Sequence, residues 1–273
     1  MFSKLYNEAI ITFNMETTSP LFIKANEDSS LDPTSADNTY LAFYKDGKQV
    51  PVIPGTSIKG VFRSNAEAYI RALGLGVCDV LNNPCGNIIN KEQRQQRKKY
   101  DVVEKYARSC PICKVFGTTT MKSRANFYDA FPDGEFKIGK RTSVGIDRIT
   151  GASRRGALFD FEYVEYCDFK SQIKLKNFFP WQLKLIFDLF DRVNDGLIAF
   201  GGLTSKGFGR IEVNKINLEL RYYNSSKLPE GYTQKDYFIC KKVEGEEVYK
   251  IFKDIRIDNN SVKRCDLENE QIL

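Results

Sequence analysis

The chain contains no histidine. That absence excludes Ser/His/Asp and Cys/His triads, two-histidine ribonuclease chemistry and histidine-ligated metals, leaving carboxylates, Lys, Tyr, Cys or a carboxylate-bound metal for any catalysis. Long apolar runs are missing as well, and no stretch approaches the roughly 18 residues of a membrane-spanning helix. The opening "MFSKLYNEAIITFNM" is interrupted by polar residues where a secretory leader needs a continuous apolar centre. The expectation is a cytoplasmic protein with no membrane partner. Seven cysteines, an odd number in a chain without secretory features, give no disulfide framework.

What is present is a chain of 273 residues, 42% hydrophobic, long enough to bury a core in one large domain or two small ones. The formal charge is +6, and its distribution says more than its sum. Residues 91–108, "KEQRQQRKKYDVVEKYAR", hold seven basic and three acidic side chains, and residues 140–156, "KRTSVGIDRITGASRRG", hold five and one. Each segment is net +4, so the remaining chain is net −2. Concentrated basicity of this kind points to a polyanionic partner.

Alternation of apolar and polar residues predicts a first strand over residues 7–15. Residues 16–50 read as a long polar loop carrying Asp28, Asp32 and Asp37, with a short strand near 40–44. After the Pro51 and Pro54 corner, Ile58, Val61, Phe62, Ala66, Tyr69 and Leu73 recur at helical spacing, with Thr56 or Ser57 available as N-cap. Residues 77–122 read as a compact insertion, "RANFYDAF" (124–131) as the next strand, and 132–168 as a projecting hairpin. Phe169, Ser171, Ile173 and Leu175 then alternate with Lys170, Gln172, Lys174 and Lys176, as a half-buried strand does. A helix through Leu183, Ile186, Phe187 and Phe190 and a strand near 208–220 complete the order strand, helix, strand, strand, helix, strand. Without the insertions at 16–50, 77–122 and 132–168, this is an α+β, ferredoxin-like (RRM-like) βαββαβ core in a single domain spanning 1–273.

Four cysteines form the sharpest local motif. "CPIC" supplies Cys110 and Cys113 at a spacing that lets both sulfurs reach one ion, and Cys78 and Cys85 lie upstream in a segment with enough glycine and proline to fold around it. Four sulfur ligands close a tetrahedral Zn²⁺ shell with no open position for water, which makes the site structural; buried or redox-active thiols are the alternative reading. Cys167, Cys240 and Cys265 read as ordinary buried residues. "GTSIKG" is not a phosphate-binding P-loop, because Val61 and Phe62 stand where that motif needs Lys and Ser or Thr. It shares with "LTSKGFGR" a flexible backbone beside cations, Lys59 and Arg63 in one and Lys206 and Arg210 in the other, suited to close approach by a phosphate chain. Arg148, Arg154 and Arg155 crowd the expected tip of the hairpin among small residues.

Taken in order, "IPGTSIKGVFRS", "CPICKVFG", "RANFYDA", "IDRITGASRRGALFDFEYV" and "GGLTSKGFGR" resemble segments of the RAMP superfamily, and in particular the backbone subunits that polymerise along guide RNA in type III and related class 1 CRISPR effector complexes. The resemblance runs from about residue 9 to 213. It implies an RRM-like core whose Lys59 and Arg63 hold guide phosphates and a thumb hairpin lying over guide and target RNA at the neighbouring copy. It also implies the late glycine-rich loop, other effector subunits as partners, and a loop aspartate supporting metal-dependent cleavage of target RNA. Asp37 is the positional match for that aspartate, with Asp32 as its competitor and Mg²⁺ as the ion; some relatives bind without cutting. A stand-alone zinc-containing RNA-binding protein is the alternative drawn from the cysteines and basic run alone.

Overall fold

The computed structural model describes residues 4–25, 38–223, 228–267 and 272–273. β1 (Asn7–Thr17) turns Ala9, Ile11, Phe13 and Met15 into the core. β2 (Ala42–Lys45) and β3 (Lys48–Pro51) form a separate two-stranded hairpin. Its two-residue turn, Asp46 and Gly47, has positive φ at both positions (52° and 76°), the backbone that Asp-Gly favours in tight hairpins. The stretch 16–50 is therefore not one long loop, since β1 runs to Thr17 and a hairpin closes its far end.

α1 (Gly55–Ala72) buries Ile58, Phe62, Ala66 and Ile70 along one face. Neither Thr56 nor Ser57 caps it. Pro54 occupies the N-cap with extended backbone (φ −60°, ψ 140°), and the first amide, on Gly55, donates to Asp129 Oδ1 at 2.7 Å. Asp129 can reach it because Gly55 lies against the chain beyond it: a Cβ at this position would stand 2.5 Å from the Phe127 carbonyl oxygen. Residues 77–122 contribute α2 (Cys85–Gln95), α3 (Val102–Arg108) and α4 (Pro111–Phe116).

The expected strand at 124–131 is shorter than its pattern. β4 (Ala125–Phe127) ends after three residues, and Tyr128–Ala130 turns aside to meet Ile53 before β5 (Phe131–Ile146) begins. β5 returns as β6 (Ser153–Lys176), a single strand of 24 residues. Its last third is the alternating segment 169–176, so hairpin and core strand are one continuous element. α5 (Pro180–Asn194) follows, then a 3₁₀ turn at Thr204–Lys206 and β7 (Ile211–Tyr223). The tail adds β8 (Thr233–Gln234), β9 (Phe238–Glu244), α6 (Glu247–Ile251) and α7 (Asn259–Lys263).

The main sheet runs β4-β6-β1-β7-β9-β8 with every pairing antiparallel, and β5 extends it by pairing with β6. The architecture is α+β, with α1 and α5 covering one face. Phe62 of α1 and Phe13 of β1 meet Phe190 of α5 at ring separations of 5.7 and 4.8 Å, which locks the two helices onto the central strand. The other face of β1 and β6 presents Ile10, Thr12, Gln172 and Lys174 at its centre, and its aromatic pair, Tyr223 of β7 with Tyr237, lies towards β9, where the Tyr223 hydroxyl donates to Glu8. No described helix is long and apolar enough to cross a membrane.

α5 is buried on nearly every side, unlike an ordinary surface helix. The tail explains this. α6 sets Tyr249 and Phe252 against Phe187 at 5.7 and 4.6 Å, while β9 pairs with β7 from Asn217 to Tyr223. Phe187→Ala should therefore cost about 3–5 kcal/mol in denaturant unfolding, because it leaves a cavity between helix and tail. A loss below about 1 kcal/mol would show that the tail does not hold α5.

Candidate metal centre and nucleic-acid interface

Cys78, Cys85, Cys110 and Cys113 bring their sulfurs within 4.8 Å of one another, and all four thiols are free. Local structure explains the convergence. Cys85 opens α2, and Cys110 is the N-cap of α4, where its sulfur accepts from the Cys113 amide at 3.4 Å and Pro111 fixes the first turn. The Cys110 amide in turn donates to Cys85 Sγ at 3.3 Å, and Cys78 Sγ lies 3.6 Å from both Cys110 and Cys113 Sγ. A tetrahedral zinc–sulfur shell with bonds of about 2.3 Å has sulfur–sulfur edges of about 3.8 Å, so the donors fit Zn²⁺ in number, type and spacing. Hydrogen bonding with Cys113 holds the Cys110 thiol far below its ordinary value, while the bond with Cys110 pushes Cys113 up and Cys85 to about 12. One thiolate here shares the protons of its neighbours, and a dication would displace them.

The centre is tied to α1 by Arg63. Its guanidinium donates from Nη2 to Cys113 Sγ at 3.6 Å, from Nη1 to the Gly117 carbonyl at 3.3 Å and from Nε to Glu67 at 3.1 Å. A Zn²⁺ ion in four thiolates carries a net charge of −2, which this cation offsets in part. Arg63 is thus engaged with the protein, whereas Lys59, one turn earlier, makes no hydrogen bond or ion pair among the described residues. Burial first, and the Arg63 charge second, hold the Lys59 ammonium below its ordinary pKa. Both residues line a cleft of about 390 Å³ with Lys122, between α1 and the turn at Gly117–Ser123. Among the described residues neither Lys59 nor Lys122 has an acidic partner, both line the same cleft, and an anion entering it would relieve the repulsion between Lys59 and Arg63. The Gly55 amide at the helix mouth is already taken by the Asp129 carboxylate, so Lys59 and Lys122, more than the helix terminus, make this cleft receptive to phosphate.

Arg148, Arg154 and Arg155 are all exposed at the far end of the β5–β6 hairpin. Asp147 organises the turn between them by accepting from the Ile149 and Thr150 amides, both at 2.9 Å, and these bonds hold its carboxyl below the usual range. No residue from 131 to 160 is buried. At its base the hairpin is anchored by a small aromatic cluster of Phe22, Phe161, Tyr163 and Phe208. Gly139, opposite Tyr163 in the ladder, makes room for that ring, since a Cβ there would lie 2.6 Å from it.

Phe208 belongs to the glycine-rich loop, so this cluster brings Lys206 and Arg210, both exposed, to the foot of the hairpin. The Arg210 carbonyl accepts from Thr18 and the Gly209 amide donates to Pro20, which fixes the loop beside the end of β1. The structure thus joins Arg63 to the cysteine centre, places Lys59 in the cleft beside it, and brings Lys206 and Arg210 to the hairpin base. Asp32 and Asp37 lie outside the described residues.

Sequence reasoning missed Lys122 and Arg141. Arg141 stands over Phe208 and Tyr163 at 5.4 and 5.7 Å, adding a cation at the hairpin base. Its place in the basic segment 140–156 was a usable signal. Nothing local marks Lys122, which only the fold brings opposite Lys59.

A family model described as the RAMP superfamily matches residues 14–212. The chain belongs to the RAMP superfamily. The match begins within β1 at residue 14, includes α1, all four clustered cysteines, the hairpin and the late glycine-rich loop, and ends in β7 before the tail strands. At the level of the superfamily this makes the chain a CRISPR-associated RNA-binding subunit. A comparison with curated proteins returned no match.

Replacing Cys85 or Cys110 with serine should abolish the thiolate-to-metal absorption of the Co²⁺-loaded protein and expose the amides of 77–122 to hydrogen exchange. A site of this kind contributes about 10 kcal/mol to local order. Arg63→Ala should weaken metal affinity by about tenfold while leaving the four-sulfur spectrum intact. Unchanged affinity would show that Arg63 does not support the centre.

Proposed function

We propose that this RAMP-superfamily chain is a guide-RNA-binding backbone subunit of a class 1, type III-like CRISPR effector complex, polymerising along the guide with other copies of itself and displaying it to target RNA. The observation that carries this reading is the β5–β6 hairpin, thirty residues without a buried side chain. A two-stranded ribbon standing in water is at best marginally stable alone. This one also exposes Ile146 and Leu158 (65% and 67%) beside its arginines, with Ile149 at 95%. Apolar side chains and cations on one projecting arm suit a thumb that is covered in the assembly, its aliphatic groups against a neighbouring copy and its arginines against ribose phosphates.

The sheet supports the same reading. We read its β4-β6-β1-β7 segment, with α1 after β1 and α5 after β6, as a ferredoxin-like βαββαβ core, a reading that the antiparallel strand order supports. We take 77–122 as a zinc-ordered insertion and 132–168 as the thumb. The centre of the open sheet face carries Ile10, Thr12, Gln172 and Lys174, which favours binding through cations at the helix side and hairpin over the base-stacking mode of isolated RRMs. Lys59, Lys206 and Arg210 would neutralise guide phosphates, with Arg63 holding the metal centre against α1.

In the cleaving form of this function, the ribose 2′-oxygen attacks the adjacent phosphorus and the bond to the 5′-oxygen breaks. The 2′-hydroxyl loses its proton, the departing 5′-oxygen gains one, and a 2′,3′-cyclic phosphate and a 5′-hydroxyl result. Asp37, with Asp32 as the alternative, would orient the 2′-hydroxyl or hold a Mg²⁺ ion. A chain without histidine has no imidazole to serve as the base. The described neighbours of that loop, Ala25 and Asn38, are held beside the hairpin base, where Ala25 donates to Thr39 and Asn38 to Asp160.

Binding to single-stranded RNA should fall with salt at roughly 0.7 log units per log unit of salt for each phosphate neutralised. Changing Arg148, Arg154 and Arg155 together to alanine should lower that slope and prevent assembly into filaments; a slope and filament length equal to the parent's would refute the thumb. Asp37→Ala should stop cutting of guide-paired target RNA while guide binding persists. Continued cutting would move the role to Asp32 or remove it from this chain.

A further inference from the structure

The basic run at 91–108 takes no part in the cleft or the hairpin, yet the fold gives it a shape. The C-terminal half of α2, the loop that follows and α3 enclose a groove of about 630 Å³. Arg94, Arg97, Lys98, Lys99 and Lys105 line it, and no acidic side chain does. Only Lys98 is paired, with Glu104 at 2.6 Å just outside; the other four cations have no ion pair among the described residues. The floor is rigid. Tyr100 is buried, its amide donates to Gln93 Oε1 and its hydroxyl to Gln96 Oε1, both at 2.8 Å, and Arg108 stacks on its ring at 4.0 Å.

A second observation is independent of charge. α2 ends in a paired turn in which the Lys98 amide returns to the Gln93 carbonyl and the Arg97 amide to that of Arg94. This termination needs a left-handed residue after the cap, normally glycine, and Arg97 occupies it with φ 50°. Arg97 takes this left-handed position without glycine's freedom, and its side chain lines the groove at the point where the helix ends.

From these two observations we infer that the α2–α3 groove is a second RNA-binding surface, gripping the ribose-phosphate backbone of a single strand through Arg94, Arg97, Lys99 and Lys105. The groove is lined by cations, amides and one covered tyrosine. It lacks the apolar anchor that a protein partner would require, whereas guanidinium forks match phosphate oxygens. The inference rests on the reading that the chain binds RNA, and extends the contact to a surface that shares no lining residue with the Lys59 cleft.

The test is titration of labelled poly(U) with the full-length zinc-loaded protein across a salt series, with thermal unfolding run in parallel. Arg97→Gly should unfold at or above the parent's midpoint, since glycine relieves the backbone, yet bind about fourfold more weakly. Arg94→Ala with Lys99→Ala should bind on the order of tenfold more weakly, and its salt slope should drop by about 1.4. Lys59→Ala with Lys122→Ala serves as the reference for the cleft. If the parent binds poly(U), the cleft variant weakens it and the folded groove variants match the parent in affinity and slope, the groove is overturned and RNA binding by the chain stands. Capture of an acidic polypeptide by the groove without any effect on poly(U) also overturns it. A parent that binds no poly(U) overturns both.

Discussion

One strand belongs to two environments, and the rest of the molecule is arranged around that constraint. The C-terminal part of β6 lies between β4 and β1 with Phe169, Ile173 and Leu175 fully buried, while among the described residues its first stretch, up to Phe159, stands in water paired with β5 alone. A hydrogen-bonded ladder transmits position along its length, so the exposed arginines at one end are aimed by packing at the other. The aromatic cluster at the midpoint serves as the fulcrum, where Phe161 and Tyr163 of β6 meet Phe208 of the glycine-rich loop and Phe22 after β1. The same four rings that stiffen the hairpin thereby bring Lys206 and Arg210 to its foot.

A second attachment works by coordination chemistry in place of apolar burial. The helices between α1 and β4 are short, and the first turns of α2 and α4 meet Cys78, from the loop after α1, to bring four sulfurs together. Arg63 connects that centre to α1, so a residue whose position in the sequence reads as a phosphate ligand also braces the wall of the cleft in which, among the described residues, Lys59 and Lys122 have no acidic partner. Charges kept apart from acidic partners in a folded chain raise its energy unless an anion joins them. The uneven distribution of charge in this protein therefore has a direct bearing on what it binds.

Much of this was legible in the residues. Apolar residues spaced three and four apart located α1 and α5, strict alternation located 169–176, and the cysteine spacing anticipated a centre that the fold does bring together. What escaped depended on partners remote in the chain. The cap of α1 comes from Asp129, 74 residues away, so no local pattern could announce it in place of Thr56 or Ser57. The continuity of β6 was hidden because its exposed half has no buried side to impose a period of two. In the β2–β3 hairpin the Asp-Gly turn was readable, but exposed flanks such as Phe43 and Tyr44 gave it no apolar face. The tail joins the core through single aromatic contacts onto α5 and pairing onto β7, a role that becomes visible only once both elements are in place.

The central claim is that these cationic surfaces follow one RNA strand from copy to copy. The most direct measurement is the mass and ultraviolet absorbance ratio of the native particle purified from cells expressing the chain with its repeat-derived RNA. The account predicts several copies per RNA molecule, with copy number rising in proportion to RNA length. A monomer free of nucleic acid, recovered under low salt, would contradict it.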